Sequence, residues 1–559
     1  MGRRLGFGLL VGALAFALYL PSIRYSFLSA DDPIYVTGNS HVQQGFTSEG
    51  LRWSLTTTEG GSWHPLTWWS HMLAVQLFGM WAGGHHLLNA LLHACAAAVL
   101  FWAVSGLTGS LLPSLAVASL FAVHPLHVES VAWISERKDV LVALFWMLTL
   151  VAWTGYVRRP RPRTFLAAFA LFVLSLMAKP MAVILPLVLF LLDLWPLDRV
   201  RPGPGRRLGR LLLEKIPFLL AAAAVSVMTL KGQRDAGALG WMTDTAPGSM
   251  LAVTGVQAEN ILVSYVAYLG KALWPANLAV FYPYQAHMLA GWTVGFLGLL
   301  LAGTTAAAVF LRRRAPWVAV GWAWYLLVFV PVVGIVQVGA QGRADRYAYL
   351  PLIGIWLAIV WSIREFLRQR SAARGAVLAL ALAGYILLAV LTVRQLGYWR
   401  DTVTLFSHAL AVTRDNHAAL RVLGEEARRQ GRFKDAEGYF RKGLLLEPRS
   451  SWAHNRLGQA LFDQGRNAEA AAAFRDALRC DSRSAEVHYN LGLALAGLGE
   501  LSDAEGQLRE ALRLSPGFAE IWLGLAAVLA RQQRPKEASE AYWRAISMKP
   551  ELRDSRPAH

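Results

Sequence analysis

Over residues 1–394, apolar runs alternate with short, arginine-rich connections, and the first run sets the pattern. Residues 5–20 are almost wholly apolar behind Arg3 and Arg4. Extended to residue 23, this run is long enough, at about 1.5 Å per residue, to cross a hydrocarbon core of about 30 Å. Runs at 87–104, 112–123, 140–157, 164–178, 180–194, 216–230, 292–311, 317–333, 349–363 and 376–393 read as further spans, about eleven in all. The basic clusters at Arg158, Arg159, Arg161 and Arg163, at 199–210, at Arg312, Arg313 and Arg314, and at 364–374 then share one side with the N-terminus. Excess Lys and Arg mark the cytoplasmic side, so 23–84, 124–139 and 231–290 are expected as outer loops. The run 261–274 carries Lys271 and is short; if it crossed, every later arginine cluster would fall outside. It is expected to lie on the outer interface. The small-residue cleavage pattern behind residues 5–20 is poor, so that run reads as a retained anchor and not a signal peptide.

After Arg394 the apolar runs stop and a 34-residue period begins, with Pro448, Pro516 and Pro550 on the grid and Ser482 in the missing place. Leu457, Gly458, Leu461, Ala470, Phe474 and Ala477 recur as Leu491, Gly492, Leu495, Ala504, Leu508 and Ala511. Small residues let paired helices approach, large ones fill the gap, and Pro ends each second helix. This is the tetratricopeptide pattern. Residues 399–415 read as a half repeat joining the last span to the solenoid. The fold class expected is all-α, with a polytopic membrane domain at 1–394 and an extracytoplasmic solenoid at 395–559. The odd number of spans places its concave groove, suited to an extended peptide, on the outer side.

Composition agrees: 55% of the 559 residues are hydrophobic and 16% charged, the profile of a membrane protein and not of a soluble enzyme. The net charge of +18 does not imply nucleic acid, because much of it lies in the connections between spans. Cys95 and Cys480 cannot build a disulfide framework.

Two adjacent carboxylates, Asp31 and Asp32, follow the first span close to the membrane surface. An ionisable pair there is costly unless it faces water, a cation or a substrate. Two readings stand: a solvated turn opening at Pro33, or a reacting centre against which the other helices hold a lipid-linked donor. His124-x-x-His127-x-Glu129 does not have the spacing of His-Glu-x-x-His zinc sites. No cofactor is therefore expected; a divalent metal is compatible with the sequence but not indicated by it.

Four further stretches carry a resemblance. They are Trp63-His64-Pro65-Leu66-Thr67-Trp68, the block from His124 to Asp139, Trp274-Pro275-Ala276-Asn277-Leu278, and Ala344-Asp345-Arg346-Tyr347-Ala348-Tyr349-Leu350-Pro351. With the Asp pair and the repeats in the same order, the chain resembles the transmembrane and tetratricopeptide-repeat O-mannosyltransferases and their bacterial relatives. This family has the C-type membrane glycosyltransferase architecture. The resemblance implies transfer of mannose or another hexose from a polyprenyl-phosphate donor to a protein hydroxyl on the outer face. It makes Asp31 or Asp32 the base. The cations nearest for the leaving phosphate are Arg137 and Lys138, then Arg343 and Arg346; the competing reading of Glu136-Arg137-Lys138-Asp139 is a self-neutralised surface patch. His64, His124, His127, Glu129, Glu136, Asp345 and Tyr347 are expected to support the site, the histidines by hydrogen bonding. Lys179 either contacts the lipid phosphate or snorkels to the interface. The expected partners are the bilayer, the polyprenyl-phosphate sugar and a peptide on the repeat groove. The setting is a bacterial inner membrane with the repeats in the periplasm. A non-enzymatic scaffold displaying the repeats, or a glycolipid-modifying transferase, are the alternatives.

Overall fold

The computed structural model describes residues 2–200, 206–235, 250–284, 289–334 and 341–554. Contacts divide the chain into two compact units, Met1–Thr413 and Arg414–His559. The helix Thr402–Val412, within the expected half repeat, lies in the first unit.

Among the described residues of the first unit, six helices are long and apolar enough to cross a membrane: Gly2–Arg24, Ala82–Thr108, Ile134–Arg158, Ile216–Asp235, Gly291–Leu311 and Ser371–Gly397. Leu111–Val123 and Pro125–Ala132 form a pair bent by 55° that makes a seventh if counted as one span. The expectation of about eleven full spans is therefore corrected. Pro162–Ala178, Pro180–Leu194 and Pro316–Phe329 are apolar but short. Proline, which lacks the N–H that continues a helix, stands at the head of each. The run 349–363 continues as Leu352–Gln369, whose last turns carry Arg364, Glu365 and Arg368. The run 261–274 is the end of a longer helix, Met250–Leu273, with Gln257, Glu259, Asn260, Ser264 and Lys271 along it.

Ala82–Thr108 is the central pillar: 67% of its apolar window is buried, against 6% for Gly291–Leu311 and Ser371–Gly397. Its alanines at 94, 96, 97, 98 and 103 are buried. Gly12 of the first helix packs with its Cα face toward the Ala94 carbonyl. Apolar lipid supplies no hydrophobic drive between helices, so close packing of small residues does much of the joining. Pro316–Phe329 and Leu352–Gln369 make the extreme case. A Cβ on Gly321 would stand 2.3 Å from the Gly354 carbonyl oxygen, and one on Gly354 2.4 Å from that of Gly321.

The second unit is a run of helix pairs: His417–Arg429 with Phe433–Leu446, Ser451–Phe462 with Asn467–Cys480, Ala485–Leu498 with Leu501–Leu514, and Ala519–Arg531 with Pro535–Met548. Asn416, Ser450 and Ser484 cap the first helices of three pairs through their side-chain oxygens. Gly424, Gly458 and Gly492 admit Phe440, Phe474 and Leu508 of the facing helices. The solenoid expected from the 34-residue period is the observed fold.

Gly354→Ala is expected to destabilise the membrane unit by about 1–3 kcal/mol, because backbone and not a movable side chain occupies the space. Thermal unfolding in detergent measures it; an unchanged midpoint would show that the two helices do not need this approach.

Candidate active site

The segment after the first span folds back on itself. The Asp31 carbonyl accepts from the N–H of Ile34 (2.9 Å) and Tyr35 (3.1 Å), opening the turn Pro33–Thr37. The two adjacent carboxylates then part. Asp32 is buried; its Oδ2 accepts from Leu28 N at 2.7 Å, and its Oδ1 from Ser135 N at 3.1 Å and from the Ser135 hydroxyl. Burial raises its pKa to about 6 against the pull of those hydrogen bonds. Asp31 is half-buried, and its carboxylate makes no hydrogen bond among the described residues. It faces the field of Lys138. A solvated turn describes neither the burial of Asp32 nor its tie to the block at 124–139.

That block is buried throughout except for Lys138, which is partly exposed, so the surface-patch reading of 136–139 is overturned. Two of its histidines serve the chain's own bend. His124 Nδ1 accepts from Leu126 N at 3.2 Å and its Nε2–H donates to the Ala272 carbonyl at 3.0 Å. His127 Nδ1–H donates to the Phe121 carbonyl at 2.7 Å. His64 is also buried but hydrogen-bonds to nothing described.

The acids of the block gather cations from three places in the chain. Glu129 pairs with the Arg346 guanidinium and accepts from Arg346 N at 3.0 Å. Glu136 meets Lys138 at 3.2 Å, Arg346 Nε at 3.2 Å and Lys179 at 3.4 Å. Asp139 meets Lys179 at 2.5 Å and accepts from Ser130 Oγ at 3.0 Å. The side chains of these acids are only 2–3% exposed, whereas those of Arg346, Lys138 and Lys179 are 10–14% exposed. The acids thus form the floor, and the face toward solvent is cationic.

Arg137 departs from its expected role. It is fully buried, and Nε, Nη1 and Nη2 donate to Asn89 Oδ1 (2.7 Å), the Ser70 carbonyl (3.0 Å) and the His85 carbonyl (2.9 Å). Successive residues on a helix point about 100° apart, so Lys138 faces the cluster while Arg137 is turned away from it. Asp345 is likewise occupied, by Lys271 at 3.1 Å and the Tyr282 hydroxyl at 2.8 Å. Arg343 stands 5.7 Å over the Tyr282 ring, opposite Tyr282 in a short antiparallel ladder. Tyr347 accepts from Gln341 Nε2 at 2.7 Å, with the Arg346 guanidinium 5.2 Å over its ring. Lys271, Tyr282, Ser135 and Tyr35 were not singled out as site residues from the sequence. Lys271 alone carried a signal, a charge interrupting an apolar run. Among the described residues no three His, Cys, Asp or Glu side chains converge as a metal would require.

The tetratricopeptide-repeat family model matches residues 394–485 and 489–552. Protein O-mannosyl-transferase Tmtc2 of Drosophila melanogaster is 32% identical over 194 residues, which is 32% of this chain and 21% of that protein. Tmtc1 of the same organism is 25% identical over 528 residues, 78% of this chain and 61% of that protein. Human TMTC1 is 24% identical over 476 residues, 75% and 53% respectively. The chain is a helical membrane protein bearing tetratricopeptide repeats. It is similar to the protein O-mannosyl-transferases Tmtc1 and Tmtc2, as the motifs led one to expect. It spans from about a fifth to three fifths of the length of these curated relatives.

Two outcomes follow from this geometry. Between pH 3.8 and about 6 the folded chain keeps a proton on Asp32 that the unfolded chain has released. Its contribution to stability therefore falls as pH rises through that window, by about 1–3 kcal/mol. Asp32→Asn should flatten that part of the stability–pH curve; a curve of unchanged slope would contradict the assignment. Arg137→Met removes three hydrogen bonds made by a buried guanidinium and leaves Asn89 Oδ1 without its donor, and should cost about 3 kcal/mol or more. Lys138→Met, at the edge of the cluster, should unfold the protein less, as compared by thermal melts.

Proposed function

We propose that this chain is a membrane glycosyltransferase moving mannose or another hexose from a polyprenyl-phosphate donor to a Ser or Thr hydroxyl of a protein. Transfer takes place on the outer face, and the repeats bind the acceptor. The observation that carries this reading is an unpaired carboxylate, Asp31, beside a cationic face laid over buried acids. The names of the relatives support the sugar and the protein acceptor.

In this scheme the acceptor oxygen bonds to the anomeric carbon, its proton passes to Asp31, and the bond from that carbon to the phosphate oxygen breaks. The hydroxyl becomes acidic only as the bond forms, so a carboxylate suffices as base. Negative charge grows on the departing polyprenyl phosphate. Lys138, Lys179 and Arg346 meet it already oriented by Glu136, Asp139 and Glu129, which is how fixed charges act most strongly. Arg346 offers a two-pronged fork and the lysines point charges. Asp32 has no free oxygen in this scheme; it sets the position of Asp31 by holding the turn to Ser135. Arg137 has no role toward phosphate, and Arg343 is left outside the scheme. The proposed setting remains a bacterial inner membrane with the repeats in the periplasm.

Asp31→Asn is expected to lower transfer by about 10²–10⁴-fold while leaving donor binding intact. Sugar release from a polyprenyl-phosphate mannose donor in the presence of a Ser/Thr peptide, with donor affinity measured in parallel, tests it. Full activity of the variant would remove Asp31 as base.

A further inference from the structure

Beside the cations lies a group of buried polar atoms for which neither the fold nor the scheme above has a use. His64 is 1% exposed and stacks on Tyr35 (centroids 5.6 Å apart) and Trp68 (4.9 Å). Tyr35 also stacks on Trp68 at 4.9 Å and tilts against His71 at 5.8 Å. Within this stack both ring nitrogens of His64, both of His71, and Trp68 Nε1 have no hydrogen-bond partner among the described residues. The Ser62 backbone lies beside the His64 ring without completing a hydrogen bond. The stack touches the cationic face directly. Lys138 Nζ stands 4.4 Å over the Tyr35 ring and donates to its hydroxyl at 3.3 Å.

A thin cover lies over His64. The turn Glu59–Gly61 brings Gly60 so close that a Cβ there would stand 2.7 Å from Tyr35 Oη and 3.6 Å from His64 Cε1. Gly60 and Gly61 have φ of 72° and 75°, a conformation other residues adopt only with strain. Glu59 and Gly60 are exposed. This exposed turn is thus part of the cover over the imidazole.

A buried polar atom without a partner costs about 1–3 kcal/mol, and native proteins keep few of them. Five in one stack point to a ligand that supplies partners. Burial, with the charges of Lys138 and Lys179, pushes the His64 pKa down to about 3. The ring is neutral, with one donor and one acceptor. That pattern matches an alcohol, which also offers one of each, and gives no charge to hold a phosphate. We propose that His64 reads a hydroxyl of the donor sugar, beneath the turn Glu59–Gly61 and beside Tyr35. This rests on the transferase reading: the phosphate lies on the cations, and the sugar lies on the His64 side of Lys138.

The test uses the full chain in detergent and two probes, a polyprenyl-phosphate mannose and the same polyprenyl phosphate without sugar. His64→Phe keeps the stack and removes both nitrogens; His64→Gln puts back a donor and an acceptor. His64→Phe should weaken binding of the sugar-bearing carrier by about tenfold, the value of one or two hydrogen bonds, and leave the bare carrier unchanged. His64→Gln should recover part of the loss. The melting midpoint of His64→Phe without ligand should hold or rise, because no satisfied hydrogen bond has been removed. Equal loss for both carriers, or no loss for either, would overturn the subsite; the latter is what ordered water at the orphaned nitrogens predicts. If the unaltered chain bound the bare carrier but gained nothing from the sugar, only the subsite would fall. If it bound neither, the transferase reading would fall first and the subsite with it.

Discussion

Three buried carboxylates and three cations at their solvent side are gathered around the 124–139 block, and much of the rest of the first unit is arranged to make that possible. Taking a single ion out of water costs several kcal/mol, and partners at hydrogen-bond distance repay this only when the geometry is good. Here the geometry is shared. Glu136 meets Lys138, Lys179 and Arg346, while Glu129 and Asp139 each take a second hold on one of these cations. Removing a cation leaves the acid beneath it short of a counter-charge, at a cost that grows with the depth of the pair. This explains why the flanking elements are bent and short where simple spans would be long. The break between Leu111–Val123 and Pro125–Ala132, and the one at Lys179-Pro180, bring polar backbone and side chains to the acids. Irregular backbone at such depth is tolerated where protein surrounds it.

The periodic features were legible in the sequence because period is what repeats and spans share. The 34-residue grid placed the solenoid helices, and their ends fall two residues before Pro448, Ser482, Pro516 and Pro550. Apolar runs marked where helices lie, but run length alone did not separate a full span from a short helix headed by proline. The motif block offered Arg137 and Lys138 together, and the structure turns only Lys138 toward the acids. Arg137 and Lys138 differ by one position, and only knowledge of which helix face meets the acids distinguishes a site cation from a structural one. The same holds for Asp31 and Asp32: adjacency gives them equal standing until Ser135 is seen to claim one. Ser135 itself carried no signal, since a serine inside a buried block looks like any other small residue.

The spread of the cluster along the chain has a consequence for biogenesis. Its acids are made first, at 129, 136 and 139; Lys138 arrives with them and Lys179 soon after. The cation that pairs with Glu129 and also contacts Glu136 comes only at Arg346, more than 200 residues later. Until Arg346 is made, Glu129 lacks the guanidinium and the N–H that hold it in the folded chain. Glu129 and Glu136 gain their full set of partners only when the loop before Leu352–Gln369 has been made. The cluster thus depends on a residue far along the chain from the acids it pairs with. A chain interrupted before Arg346 would leave Glu129 without the partner that balances its burial.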